Sequence, residues 1–325
     1  MFTLTKILTR TATITSLLTI GSFLSIDAAQ AFSITYDNGN TTDGNLGFET
    51  GSFNNGSSNP VWNSTGDAGV GVTYKSVAPN DGNYQGIITT ACSSNATAEC
   101  VDSSGNTTSR KDDQPTAAGT YNFSGNEPVS ASVETPALQD FLDLNADTLQ
   151  IPRENGTISG TRTPKEGSAI KQTFTTDGAF TLSFDWNFLT NDGQSNTFGN
   201  QDFGFVTIYQ DGSDLGDRQI TVLDDSSSSS NIASNPNSGE YLTEGTYEAY
   251  TFSQTFPAGT YTLGYGVVDV DGVDRSSALL VDNISMQEQV PFDFSPSAGL
   301  ALVASIFGWN RLRRRFKQDN SQVIK

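Results

Sequence analysis

AFTLSFDWNF, residues 179 to 188, alternates apolar and polar side chains without a break. Phe180, Leu182, Phe184, Trp186 and Phe188 fall on one side, and Thr181, Ser183, Asp185 and Asn187 on the other. Successive side chains of a strand point to opposite faces, so this period of two predicts a β-strand with one buried face.

The same reading extends outward from this strand. Phe203 to Tyr209 is a second strand, and Asp211-Gly212 after it is a hairpin turn signal that lets Arg218 to Leu223 pair back. Tyr247 to Phe256 and Thr260 to Val270 flank Pro257-Ala258-Gly259 and predict another hairpin. Ser277 to Met286, rich in Leu, Val and Ile, reads as the final core strand. Nearer the start, Gly69 to Tyr74 and Tyr84 to Thr90 read as strands joined through Pro79-Asn80-Asp81-Gly82. One short helix is expected, with Thr135 as its cap, Pro136 at its first position, and Leu138, Phe141 and Leu142 on one face. The polar stretches 93–127 and 224–240 read as mobile loops, the second holding five consecutive serines. Short strands, long polar connections and no alternating helices predict an all-β fold, an antiparallel sandwich of jelly-roll type.

The ends of the chain have a different character. Lys6 and Arg10 precede a mostly apolar stretch from Thr11 to Ile26, and Ala29-Gln30-Ala31 supplies an A-x-A cleavage site. That order predicts a signal peptide over 1–31, removed by signal peptidase; the alternative is a retained N-terminal anchor. At the other end, Ala298 to Trp309 is apolar, and Arg311, Arg313, Arg314, Arg315 and Lys317 follow. A bilayer-spanning helix needs about 20 apolar residues, and Pro296 would kink an extension toward Phe292. On length and charge alone this segment is a short anchor helix with its basic end in the cytoplasm.

The order Val290-Pro291-Phe292-Asp293-Phe294, a short hydrophobic segment, then Arg313-Arg314-Arg315 resembles PEP-CTERM sorting domains, in a cyanobacterial-type PFDFSPS variant. The resemblance implies processing by an exosortase-type membrane enzyme. It also implies a transient membrane stage of the 291–325 tail, followed by release to the cell surface or extracellular matrix.

The body between these signals, residues 32–290, carries 9 basic and 33 acidic residues, a net charge of −24. Such a surface repels nucleic acid, whose binding needs Lys and Arg against phosphate, and suits divalent cations or neutral ligands. The chain has no histidine, which removes the commonest general base and zinc ligand together. Its only cysteines, Cys92 and Cys100, are expected to close a local disulfide in an exported protein.

Two segments carry a second resemblance. Asn45-Leu46-Gly47-Phe48-Glu49-Thr50-Gly51, followed by Trp62, and Leu279-Leu280-Val281-Asp282-Asn283-Ile284 are similar to the opening and closing strands of jelly-roll carbohydrate-binding modules. That likeness implies a structural calcium shared by Glu49 and Asp282. Independently, alternation puts Asp282 on the face of Leu280 and Ile284, where a carboxylate needs a cation, an Arg or several hydrogen bonds.

Asp269, Asp271 and Asp274 form a second acidic loop, D-x-D-G-x-D, that lacks the Gly position and final Glu of an EF-hand. It reads as an Asp/Gly turn with weak calcium capacity. Asp211, Asp214 and Asp217 recur every third residue in a loop, and Asp185 with Asp202 is the pair a glycosidase would use. Trp62, Trp186, Tyr209, Tyr247, Tyr250, Tyr261 and Tyr265 are the aromatics that could stack on sugar or fill the core. The reading is an exported noncatalytic surface or matrix protein that binds calcium and polysaccharide. Its alternatives are a secreted carboxylate-dependent glycan hydrolase and a purely structural surface-layer component.

Overall fold

The structure, a computed structural model, describes residues 32–36, 45–53, 61–74, 77–90, 100–101, 107–108, 128–151, 161–190, 202–226, 248–252, 254–270 and 276–289. The signal peptide, the sorting tail, Cys92, and most of the two polar loops lie outside the described residues; Cys100 is placed by its backbone alone.

The strands in chain order are β1 (Ile34–Tyr36), β2 (Asn63–Thr65), β3 (Asp67–Gly71), β4 (Gln85–Thr89), β5 (Cys100–Val101), β6 (Thr107–Thr108), β7 (Val129–Ser130), β8 (Pro164–Thr176), β9 (Phe180–Thr190), β10 (Phe203–Gln210), β11 (Ile220–Asp225), β12 (Glu248–Thr251), β13 (Gly259–Val270) and β14 (Ser277–Glu288). A helix, α1 (Ala137–Phe141), precedes β8. One sheet has the order β1-β8-β13-β10-β11, with β2 and β7 also on β8. The other runs β12-β9-β14-β4-β3, and β5 pairs only with β6. Every pairing is antiparallel. β8 and β9 stand in opposite sheets, as do β13 and β14, while β8 pairs with β13 and β9 with β14. Two consecutive strand pairs therefore wrap together around one core, the jelly-roll arrangement.

The stripe that opens β9 is the centre of that core. Phe180, Leu182, Phe184, Trp186 and Phe188 are all buried, facing Phe174, Tyr261, Leu263, Tyr265 and Val267 of the other sheet. The rings meet edge-on: Phe184 and Tyr265 have centroids 5.0 Å apart at 78°, and Phe174 and Phe180 5.6 Å apart at 75°. Each such burial is worth about 1.5–3 kcal/mol.

The polar side of β9 differs from the expectation of a solvated face. Asp185, Asn187 and Leu189 are buried too. The segment between β3 and β4 folds over this outer face and packs Tyr74 and Val77 on Ile87, Leu189, Ala278 and Leu280. The outer face of the seven-stranded sheet is covered at one end by the α1 region, through Leu138, Leu142, Leu144 and Leu149 against Phe203, Phe205 and Val268.

Three expectations need correction. Tyr247 to Phe256 and Thr260 to Val270 do not form a hairpin: β12 pairs with β9 in one sheet and β13 with β8 and β10 in the other. The turn at 257–258 crosses between sheets because Tyr250 stacks on Phe184 and Phe256 on Phe180, at 5.3 and 5.2 Å. The polar run assigned to a loop from 224 begins as strand. Asp224 and Asp225 end β11, and Asp225 pairs with the buried Arg162, which lies over the Phe203 ring. Finally, Pro136 takes the cap position of α1, because the Thr135 hydroxyl bonds Ser130 and Ser132 instead.

Candidate functional site

The two acids singled out for calcium converge on one turn, residues 79–84, Asp282 from β14 and Glu49 from a turn between β1 and β2. Asp282 Oδ2 accepts the N–H groups of Asn80 (2.7 Å) and Asp81 (2.9 Å), and its Oδ1 accepts that of Asn283 (2.7 Å). Glu49 accepts the next pair of N–H groups, from Asn83 (2.9 and 3.2 Å) and Tyr84 (3.3 Å). Asp185, directly across from Asp282 in the β9–β14 register, accepts the side-chain amides of Asn80 and Asn283 at 2.5 and 2.9 Å. Gly82 makes the approach possible: its φ is +62°, and a Cβ there would stand 2.3 Å from the Glu49 carboxyl. Burial pushes the Asp282 carboxyl up to about 6, against the lowering pull of its three N–H partners.

Calcium takes six to eight oxygens. Here five N–H contacts occupy most acceptor positions of the two carboxylates, and among the described residues no three His, Cys, Asp or Glu side chains are grouped to hold a metal ion. Among the described residues, Glu49 and Asp282 are held by backbone N–H donors. What alternation flagged as a costly carboxylate is satisfied by two hydrogen bonds from the turn and one from Asn283.

The other acids disperse. Asp202 accepts Val270 N–H at 3.0 Å and the Ser277 hydroxyl at 2.6 Å, near Thr190 at the far end of β9. Asp185 and Thr190 are five residues apart on one strand, about 17 Å, so the imagined glycosidase pair is not brought together. Asp269 is a buried residue of β13, opposite Glu166, while Asp271 and Asp274 lie outside the described residues. Asp214 caps an exposed 3-10 turn, Leu215–Asp217, that ends on Asp217.

The described aromatics pack within the protein. Trp62 donates its indole N–H to Asn45 O and packs on Phe48; Trp186, Tyr261 and Tyr265 are core residues; Tyr250 stacks on Phe184; Tyr247 lies outside the described residues. Burial raises the Tyr265 hydroxyl well above its ordinary range and that of Tyr209 to about 12.

A different surface remains open. Beyond Leu142, the outer face of the seven-stranded sheet carries two rows of hydroxyls, the outer one accessible and the inner one, through Thr262 and Tyr209, buried. Thr35, Thr175 and Thr260 stand in register across β1, β8 and β13. Thr173, Thr262 and Tyr209 do so across β8, β13 and β10. The Thr175–Thr260 hydroxyls lie 2.8 Å apart and the Thr173–Thr262 hydroxyls 3.2 Å. Thr35 and Thr175 are exposed. At the border with α1, Lys171 pairs with Asp143 at 2.8 Å, and Arg218 lies 4.3 Å over the Tyr209 ring. Nothing local in the sequence joins these residues; only the register of four strands does.

No family profile and no curated protein matches the chain. Among solved structures it is similar to the carbohydrate-binding module TmCBM61 in complex with β-1,4-galactotriose, at 9% identity and TM-score 0.32, covering 75% of this chain and 96% of that one. A solved CBM4 structure is similar at 12% identity and TM-score 0.18, over 40% of this chain and 82% of the other. The enzymatically active domain of bacteriophage CBA120 tailspike protein 4 is similar at 11% identity and TM-score 0.22, over 43% and 17%.

Proposed function

We propose that this chain is an exported, noncatalytic β-sandwich protein of the cell surface or matrix that binds polysaccharide on the open half of its seven-stranded sheet. One observation carries the reading: Thr35, Thr175 and Thr260 stand in register across β1, β8 and β13, exposed or half-exposed beside the α1 region that packs on the same face. A hydroxyl both donates and accepts, so a fixed grid of them matches the alternating donors and acceptors of a sugar chain. A rigid sheet holds that grid without the ordering cost of a loop.

Export by the 1–31 segment and sorting by the Pro291-Phe292-Asp293 motif with Arg313, Arg314 and Arg315 support the compartment. Exosortase-type processing of the tail belongs to the same proposal. Affinity electrophoresis of the full-length chain through gels cast with a panel of polysaccharides tests it. Retardation in at least one gel, relieved in a Thr175→Val/Thr260→Val variant that keeps its fold, is the expected result. Retardation unaffected by that variant, or none in any gel, refutes it.

A further inference from the structure

The first and last strands of the sandwich meet at one corner. β1 pairs with the last residues of β8, and the end of β14 pairs with the first residues of β9. Only Asp177-Gly178-Ala179 connects β8 to β9. Ser33 donates its N–H to the Asp177 carboxylate at 2.8 Å, and its carbonyl accepts the Asp177 N–H at 3.3 Å. From the other side, Gln289 donates its N–H to the Ala179 carbonyl at 2.8 Å.

Phe32 follows directly on the Ala29-Gln30-Ala31 cleavage site. It is half-buried against the main core, and its ring lies 3.2 Å from where a Cβ on Gly178 would stand. Glu288 Oε1 lies 3.9 Å from the same point. Consecutive backbone nitrogens are no more than about 3.7 Å apart, so the Phe32 nitrogen is within roughly 6.5 Å of the Asp177 carboxylate. Asp177 and Glu288 are the charged side chains at this corner among the described residues. The next along β8, β9 and β14 are Lys171, Asp185 and Asp282, each six residues further on, about 20 Å. The first turns of β13 beside Thr176, from Gly259, carry no charge.

Before cleavage the Phe32 nitrogen is a neutral amide. Hydrolysis adds water across the Ala31–Phe32 bond: the carboxylate leaves with the leader, and the new amine takes up a proton. Resting on the export reading above, we infer that leader removal latches the fold, the freed Phe32 ammonium binding at the corner between Asp177 and Glu288. The latch ties β1 to the β8–β9 connection and to the end of β14, so it joins both sheets at the point where the first and last strands meet. An ammonium near two carboxylates holds its proton more tightly when folded than when unfolded. Its contribution is therefore complete below the ordinary α-amino value of about 8 and is lost as pH rises through the higher folded value. Both carboxylates are exposed, which keeps the effect small.

The test uses the exported chain, expressed with its own leader and purified. Mass spectrometry of the N-terminal peptide should find it starting at Phe32. Amine labelling of that peptide at a series of pH values then titrates the α-amino group. Titration at least about 0.5 pH unit above the ordinary range of about 7.7–8.0 is expected. An Asp177→Asn/Glu288→Gln variant, which keeps the acceptor for the Ser33 N–H, returns it to that range, while Asp214→Asn leaves it raised. The wild type should also melt about 1–2 °C above the double variant near pH 7, with the gap closing by pH 10. Circular dichroism confirms folding; if the double variant does not fold, Glu288→Gln alone lowers the titration by about half the difference. An amine that titrates in the ordinary range, or that the variants do not move, overturns the latch and leaves the export reading standing. An N-terminus other than Phe32 overturns the latch together with the cleavage site it rests on.

Discussion

Asp282 offers the sharpest stability experiment. Its carboxylate is buried on the outer face of the five-stranded sheet, beneath the 79–84 turn, and its titration is pushed from 3.8 to about 6 by that burial. The folded state thus holds the proton more tightly than the unfolded chain does. Stability from this group is complete below the unfolded value, near 4, and is lost as pH rises through about 6. A shift of this size corresponds to about 3 kcal/mol at most, and solvent reaching the turn reduces it to roughly 1–2 kcal/mol. Asp282→Asn removes the charge but replaces one acceptor oxygen with an NH2 group. That group then faces at least one of the N–H donors of Asn80, Asp81 and Asn283. An unpaired buried N–H costs about 1–3 kcal/mol, so loss and gain nearly offset and the variant is within about 1 kcal/mol of wild type near pH 8. Urea unfolding of both proteins at intervals from pH 4 to 8 measures the difference and cancels the repulsion common to both. The wild type should lose stability relative to the variant as pH rises from 4 to 6. Relative stability that instead grows with pH would refute the reasoning, because the N–H donors or a bound cation would then outweigh the burial that raises the titration.

Calcium and a chelator should each leave the melting temperature of the full chain unchanged to within a degree or so; a rise with calcium reveals a shell that the turn contacts conceal. Gly82→Ala places a methyl against the Glu49 carboxyl on a left-handed backbone, and chemical denaturation should show a loss of about 2–3 kcal/mol. Phe184→Ala removes the ring packed against Tyr265, Tyr250 and Phe252, and should cost about 3–5 kcal/mol by the same assay. Arg162→Ala takes the cation away from the buried Asp225, and should destabilise by about 3–5 kcal/mol while leaving polysaccharide binding by the folded fraction intact.

The core was readable because strand periodicity is local. Phe180 to Phe188 declares its inward face through spacing alone, and the structure places that stripe at the centre of the sandwich. The outward face misled because its cover, Tyr74 and Val77, comes from the distant β3–β4 connection. The turn at 257–258 has hairpin chemistry, and local chemistry does not say that its flanking strands belong to different sheets. The Glu49–Asp282 convergence was legible as a pairing of first and last segments, but its object was not. The contacts are N–H groups of 80, 81, 83 and 84, and a backbone donor leaves no trace in side-chain identity. Lys171, Arg218 and Asp143 come together from β8, the connection into β11 and the end of α1. Their meeting depends on strand register, which no pattern within any one of those segments encodes.

The path of a bound sugar chain is the most direct test of the proposed role. Hydroxyl-radical footprinting of the full-length chain, with and without a polysaccharide that retards it in the gels, locates it. Protection centred on Thr173, Thr175 and Thr260, with the 79–84 turn unchanged, is the predicted result. Protection confined to the 79–84 turn, or none on the seven-stranded sheet, would contradict it.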